Sequence, residues 1–320
     1  MSEADASGWF AARTHHWDDW SLADLMAAKG ETRVSLVVPA RNEAATVGDV
    51  VTRVREALVD TVALLDEIVV IDSDSTDATY AVAEDAGAVV HRASEIRPDL
   101  GWFPGKGEAM WKSLLVTSGD VLVFMDADLL DWDTHFVPGL LGPLLTVPEV
   151  ALVKGFYERP FSGGSDTEVF QSGRVTELVA RPLIALLFPE LSGLVQPLAG
   201  EWAIRRELFE TLSVPTGYAV ELAALVDTLR GRGVDALAQV DLGRRAHRPQ
   251  ALRDLGGMAT QIMAAALARA GAAGPPTTAD GGSSAGGVTL RQYHPVDGAA
   301  APVDRQVPTT ERPPARTVTR

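Results

Sequence analysis

"VLVFMDADLLDW", residues 121–132, is apolar through Met125 and then places Asp126, Ala127 and Asp128 with no lysine or arginine beside them. A short, wholly apolar run bounded by polar residues is a strand buried on both faces. Residues i and i+2 of an extended chain point to the same side, so the two carboxylates converge on one spot. Like charges held that close repel and raise one pKa unless a cation intervenes. A divalent ion is the economical partner, because magnesium or manganese takes one or two carboxylates and completes its shell with substrate phosphates. Asp128 as the cap of the following "LLDWD" turn, with Asp126 merely solvated, stays open at this point.

Working outward, the same grammar repeats. "RVSLVVPARNEAATVGDVVTRVREAL" is an apolar run broken at Pro39, then a 3.6-residue period through Val47, Val50, Val51, Val54 and Leu58. "DEIVVIDSDSTDATYAVAEDAG" is again strand, polar loop and helix, with Gly87 as the helix stop. "AVVHR" predicts a short strand, "GKGEAMWKSLLVTSG" a helix and "VALVKGFYERP" a strand. "GRVTELVARPLIALLF" predicts a helix interrupted at Pro182, and a last Ala/Met-rich helix lies near 251–270. Apolar strands alternating with helices predict an α/β fold with a mostly parallel, Rossmann-like sheet covered on both faces. In such sheets ligands collect outside the C-terminal strand ends. Here those ends carry Pro39, Ala40, Arg41, Asn42 and Glu43, then Asp72, Ser73 and Asp74, then Asp126 and Asp128. Each group alone also suits a helix cap; three on one edge favour a shared pocket.

Composition limits the chemistry. The 320 residues are 46% hydrophobic and 22% charged, enough for one large domain or two fused ones. A net charge of -15 argues against broad nucleic-acid binding, so an anionic substrate must meet a local basic cluster. The absence of cysteine excludes disulfides, thiolate metal sites and cysteine nucleophiles. The N-terminus has no basic segment leading into an apolar one, and "LIALLF" (183–188) is too short to span a bilayer. These features predict a soluble cytoplasmic protein without membrane or nucleic-acid partners. No G-x-G-x-x-G follows the first strand, which removes support for hydride transfer on a dinucleotide fingerprint. "GWFPGKGEAM" looks like a phosphate loop but is one residue short between Gly101 and Gly105, and has Gly107 where Ser or Thr would bind magnesium. Lys106 still suits a point charge on a phosphate. Beyond Gly271 the chain is rich in Gly, Pro, Ala and Thr, which predicts a disordered tail over 271–320.

"VVPARNEAATV", "IVVIDSDSTDAT", "GKGEAM" and "VFMDADL", in this order, resemble the nucleotide-binding half of GT-A glycosyltransferases. "GRVTELVARPL", "QPLAGEWAIRR", "GYAVEL" and "DLGRRAHR" are similar to segments of the actinobacterial glucosyl-3-phosphoglycerate synthases and their sister mannosyl-3-phosphoglycerate synthases. The resemblance covers roughly residues 30–270 and implies four regions: an N-terminal extension (1–30), a nucleotide-sugar half (31–155), an acceptor half (156–270) and the tail.

It also implies roles, position by position. Pro39, Ala40, Asn42 and Glu43 would frame the uridine, Ser73 would add a polar contact, and Lys106 would meet the diphosphate. Asp128 would bind Mg2+ or Mn2+, with His247 as second protein ligand; Asp126 and Ala127 would lie on the nucleotide sugar. Gly173, Arg174, Thr176 and Arg245 would hold 3-phosphoglycerate. Glu221, and less firmly Glu201, would receive sugar hydroxyls, while Thr176 and the Leu198 carbonyl would position the acceptor. The implied reaction is transfer of glucose from UDP-glucose to 3-phosphoglycerate with retention, by a homodimer to which "LIALLFPELSGL" contributes. Mannosyl transfer from GDP-mannose and a non-catalytic nucleotide-sugar binder are the alternatives. Pro249 departs from the family pattern, leaving that contact to be lost or taken up by Gln250.

Overall fold

The computed structural model describes residues 3–158, 173–245, 252–272, 286–296 and 299–318. The strands are β1 (Thr14–His16), β2 (Val34–Ala40), β3 (Glu67–Asp72), β4 (Val89–Arg92), β5 (Val121–Phe124), β6 (Leu152–Glu158), β7 (Trp202–Arg205), β8 (Val214–Pro215), β9 (Leu237–Arg244), β10 (Gly287–Val296), β11 (Ala299–Pro308) and β12 (Glu311–Arg312). The helices are α1 (Glu3–Arg13), α2 (Leu22–Lys29), α3 (Val47–Arg55), α4 (Thr79–Asp85), α5 (Lys106–Ser113), α6 (Phe136–Thr146), α7 (Arg181–Leu187), α8 (Arg206–Phe209), α9 (Val220–Arg232) and α10 (Leu252–Arg269).

Eight strands form one sheet in the order β1-β9-β6-β7-β5-β2-β3-β4. Period-two alternation divides its side chains between two cores. Val37, Val69, Ile71 and Phe124 face one, and Leu36, Val38, Val70 and Val123 face the other. On α3 the predicted stripe is buried at Val47, Val50, Val51 and Val54, so the 3.6 period does the packing it implies. Pro182 sits in the first turn of α7, directly after the π-helical turn Thr176–Ala180, in which Arg181 N donates to Thr176 O; the helical run from 174 to 187 changes its hydrogen-bond register just ahead of the proline and continues past it.

Within this sheet β7 runs antiparallel to both neighbours, β5 and β6. It therefore begins where β5 ends, with Phe124 opposite Trp202, and Asp126 and Glu201 leave the sheet at the same edge. β6 and β9 are parallel, with Glu158 opposite Arg244, which brings Tyr157 and Arg245 to that edge as well. Strands from the N-terminal extension, the first half and the second half are thus hydrogen-bonded into one sheet.

The expectation of a disordered tail is corrected over 286–318. β10 and β11 pair antiparallel from Gly287↔Pro308 to Val296↔Ala299, and β12 pairs with β8. Average composition hid a local signal, the β-branched and aromatic residues of "VTLRQYHPV", and gave no sign of Arg312, which is 1% exposed and paired with buried Glu108. Trp111 Nε1 donates to the Pro313 carbonyl (2.8 Å), fixing the chain just after it.

Candidate active site

The chain bends at Ala127 after leaving β5, and Asp126 and Asp128 do converge, both on one guanidinium. Arg245 Nη2 donates to Asp126 Oδ2 (3.0 Å) and contacts Asp128 Oδ1 at 3.3 Å. Its Nη1 donates to Glu201 Oε2 (2.8 Å) and to the Tyr157 hydroxyl. Arg245 is buried, and 119 residues separate it from Asp126, which is why no cation is visible beside the acidic pair in sequence. Burial opposes its charge, but Glu201, Tyr157 and Asp126 together raise its pKa. On the other side of Asp126, Lys106 Nζ donates to Oδ1 (2.6 Å) and pairs with Glu221 Oε1 at 3.0 Å. Burial works to raise the Asp126 pKa, and Lys106 and Arg245 outweigh it, so the carboxylate stays ionised well below its ordinary range. For Lys106 burial pulls the pKa down, while Asp126 and Glu221 carry it above the usual lysine value.

The glycines flanking Lys106 have a packing cause. A Cβ on Gly105 would lie 2.3 Å from the Thr216 carbonyl oxygen, and one on Gly107 would lie 1.8 Å from that of Pro215. That close approach lets Gly107 N donate to Gly217 O (3.2 Å) and Glu108 N to Thr216 O (2.9 Å). These N–H groups at the start of α5 are therefore committed to protein carbonyls, unlike those of a phosphate loop. The same docking carries Glu221, on the first turn of α9, to Lys106.

Lys154 was not anticipated. It lies mid-strand on β6, buried, over the Trp202 ring at 5.6 Å, and its ammonium donates to the Ala199 carbonyl. Desolvation pulls its pKa down to about 8, against the raising pull of Glu221. A lysine inside the otherwise apolar "ALVKGFY" was the available signal. Ala199 N closes a turn on Gln196 O (3.1 Å), and a Cβ on Gly200 would lie 2.1 Å from Asp126 Oδ2. The turn bearing Leu198 is thus pressed against the acidic pair. Burial raises the Glu201 pKa, with Arg245 opposing.

The loops after β2 and β3 are stitched together. Asn42, at φ 58°, donates its N–H to Ser75 Oγ (2.9 Å) and accepts at Oδ1 from Thr76 N (2.9 Å). Glu43 N donates to Thr79 Oγ1 (2.8 Å), and Ser73 N to Ala40 O (2.8 Å), beside Pro39. Gly173 precedes, and Arg174 opens, the helical run that continues through the turn Thr176–Ala180; Thr176 is buried and Arg174 exposed. His247, together with Arg248, Pro249 and Gln250, lies outside the described residues.

Asp128 is the outermost of the pair, with 38% of its side chain exposed and, among the described residues, a 3.3 Å contact to Arg245. Among the described residues no three His, Asp or Glu side chains gather as a metal cage. One or two carboxylates facing open space fit a hard cation whose remaining ligands are phosphate and water oxygens.

Residues 35–212 match the family model described as glycosyl transferase family 2. A glucosyl-3-phosphoglycerate synthase of Mycolicibacterium smegmatis is 45% identical over 306 residues, covering 95% of this chain and 96% of that one. One from Mycobacterium tuberculosis is 47% identical over 261 residues, covering 81% and 80%. The crystal structure of the M. tuberculosis enzyme in complex with Mn2+, UDP-glucose and phosphoglyceric acid superposes with a TM-score of 0.82 at 42% identity, over 96% of this chain and 98% of that one. Its complex with Mg2+ and UDP gives 0.82 at 42% identity, over 96% and 99%. By this agreement of sequence and architecture, the chain belongs to glycosyl transferase family 2 and, within it, to the glucosyl-3-phosphoglycerate synthases.

Proposed function

We propose that this chain transfers glucose from UDP-glucose to 3-phosphoglycerate with retention of configuration, giving glucosyl-3-phosphoglycerate. The observation that carries the reading is the meeting of Asp126, Asp128, Glu201 and Glu221 with Lys106 and Arg245 at one sheet edge, in a relative of enzymes crystallised with UDP-glucose, Mn2+ and phosphoglyceric acid. Asp128, with His247, would hold Mg2+ or Mn2+, which supplies neutralisation of the charge building on the departing diphosphate. Lys106 exchanges part of its contact with Asp126 and Glu221 for diphosphate oxygens, adding a second cation on the leaving side. Asp126 and Glu221, kept in place by Lys106, accept from sugar hydroxyls. Pro39, Ala40, Asn42, Glu43 and Ser73 line the base and ribose side.

Arg245 serves the acceptor, meeting the phosphate or carboxylate of 3-phosphoglycerate together with Gly173, Arg174 and Thr176. Thr176 and the Leu198 carbonyl aim the acceptor hydroxyl at the face from which UDP departs. Bond making trails bond breaking, and the hydroxyl proton leaves on the diphosphate, so no protein base or nucleophile is required. Donor and acceptor regions correspond to residues 31–155 and 156–270. No helix among the described residues is long and apolar enough to cross a membrane. The reading extends to a cytoplasmic homodimer joined through the surface bearing Leu178 and Leu186, which are 72% and 79% exposed.

Purified protein incubated with UDP-glucose or GDP-mannose, Mn2+ and 3-phosphoglycerate tests it by mass identification of the product. Glucosyl-3-phosphoglycerate should form, and chelation, Asp128→Ala or His247→Ala should stop it with the far-UV circular dichroism unchanged. Preferential use of GDP-mannose, or UDP release indifferent to 3-phosphoglycerate, would refute the assignment.

A further inference from the structure

We infer that Arg312, on the late strand β12, is a positioning residue for Lys106, and that residues 308–313 belong to the working structure of the active site. The inference rests on reading Lys106 as a contact of the nucleotide sugar.

Arg312 grips the chain on both sides of Lys106. Before it, Nη1 donates to Leu100 O (2.7 Å) and Nη2 to Gly101 O (3.0 Å), and the guanidinium lies over the Phe103 ring at 4.7 Å. After it, Nε and Nη2 donate to the two Glu108 carboxylate oxygens at 2.7 and 2.5 Å, with the Trp111 ring 4.8 Å from the guanidinium carbon. Lys106 lies within the segment so bracketed. The opposite wall of that segment is held by the same stretch of tail. Thr216 N donates to Thr310 O (3.0 Å), and Gln261 Nε2 donates to Pro308 O (2.9 Å) while its Oε1 accepts from Tyr218 N (3.0 Å). The Thr216 and Gly217 carbonyls in turn receive the N–H groups of Glu108 and Gly107. Glu311 extends the anchorage, pairing with Arg269 at 2.7 Å, which also binds Asp227 at 2.8 Å.

A buried ion pair is weak evidence of stabilisation, since an apolar pair of equal volume serves as well or better. What an apolar pair does not supply is a planar fork that bonds a carboxylate and two carbonyls in one plane and so fixes two segments relative to each other. The same logic distinguishes Arg312 from lysine, which offers a point charge.

The test compares Arg312→Lys and the doubly neutral Arg312→Met/Glu108→Gln, each in the native and the Lys106→Ala background. Calorimetry with Mn2+ reads the UDP-glucose Kd, initial rates read the 3-phosphoglycerate KM, and thermal melts check folding. With Lys106 present, the donor Kd should rise by about tenfold, as expected for coupling through a shared network. With Lys106→Ala, the Arg312 substitutions should add nothing further, and the acceptor KM should stay within about twofold throughout. An unchanged donor Kd, a loss that adds in full to that of Lys106→Ala, or equal loss for both substrates with an early melt in every variant would each overturn the proposal. Lys106→Ala alone leaving the donor Kd unchanged would overturn the donor-side reading of Lys106, and the proposal with it.

Discussion

Lys154 is an ammonium placed where water does not reach, with the Ala199 carbonyl as its acceptor. Its pKa near 8 lies below the ordinary 10.5, so the folded protein binds this proton less tightly than the open chain does. Its burial therefore costs stability below pH 8, and that cost fades as the pH rises from 8 towards 10.5. Activity should move the other way. If the charged form holds the turn that presents Leu198, the rate of transfer falls on the alkaline side with a midpoint near 8, and Lys154→Arg, charged throughout, abolishes that limb. A pH–rate profile of both proteins decides it; an identical alkaline limb in each would remove Lys154 from the reaction. At this scale the sequence shows Asp126 and Asp128 facing the same way, because side-chain alternation is local. It does not show that Arg245 receives them, because that contact spans 119 positions and depends on how β9 is placed in the sheet.

Among elements, α5 illustrates what a motif conceals. "GKG" invites comparison with phosphate loops, yet its glycines exist to let α5 meet the backbone of 215–217. Gly107→Ala forces a Cβ against a backbone oxygen that has no flexible end to yield. It should lower stability by about 1–3 kcal/mol or more, as overpacking does, and should weaken UDP-glucose binding. Gly231→Ala in α9, where nothing lies within 4 Å, is the control and should be neutral or stabilising by about 0.5–1 kcal/mol. Differential scanning calorimetry separates the two; equal melts would remove the packing explanation of Gly107. Strand and helix types over most of 31–158 follow from periodicity alone. The reversal at β7 does not, since a four-residue strand of three apolar residues and an arginine carries no sign of direction, and neither does β12, whose two residues are a strand only because β8 lies beside them.

For the whole molecule, Leu178 in the turn Thr176–Ala180 and Leu186 in α7 are the most exposed large apolar side chains among the described residues. Leu186→Glu should convert the proposed dimer to a monomer by light scattering without altering the circular dichroism, and a native protein already monomeric at micromolar concentration would dispose of the dimer. The single sheet has a further consequence, for synthesis. Ribosomes deliver β1 more than two hundred residues before its partner β9, and Arg312 comes later still than Lys106, Asp126, Asp128, Glu221 and Arg245. A nascent chain therefore holds a complete set of motifs well before it holds a working arrangement of them. Premature termination or proteolytic trimming ahead of Arg312 should leave a polypeptide with every signature of the enzyme, a buried Glu108 without its cation, and an unbraced Lys106, so motif content and working geometry part company at that one pair.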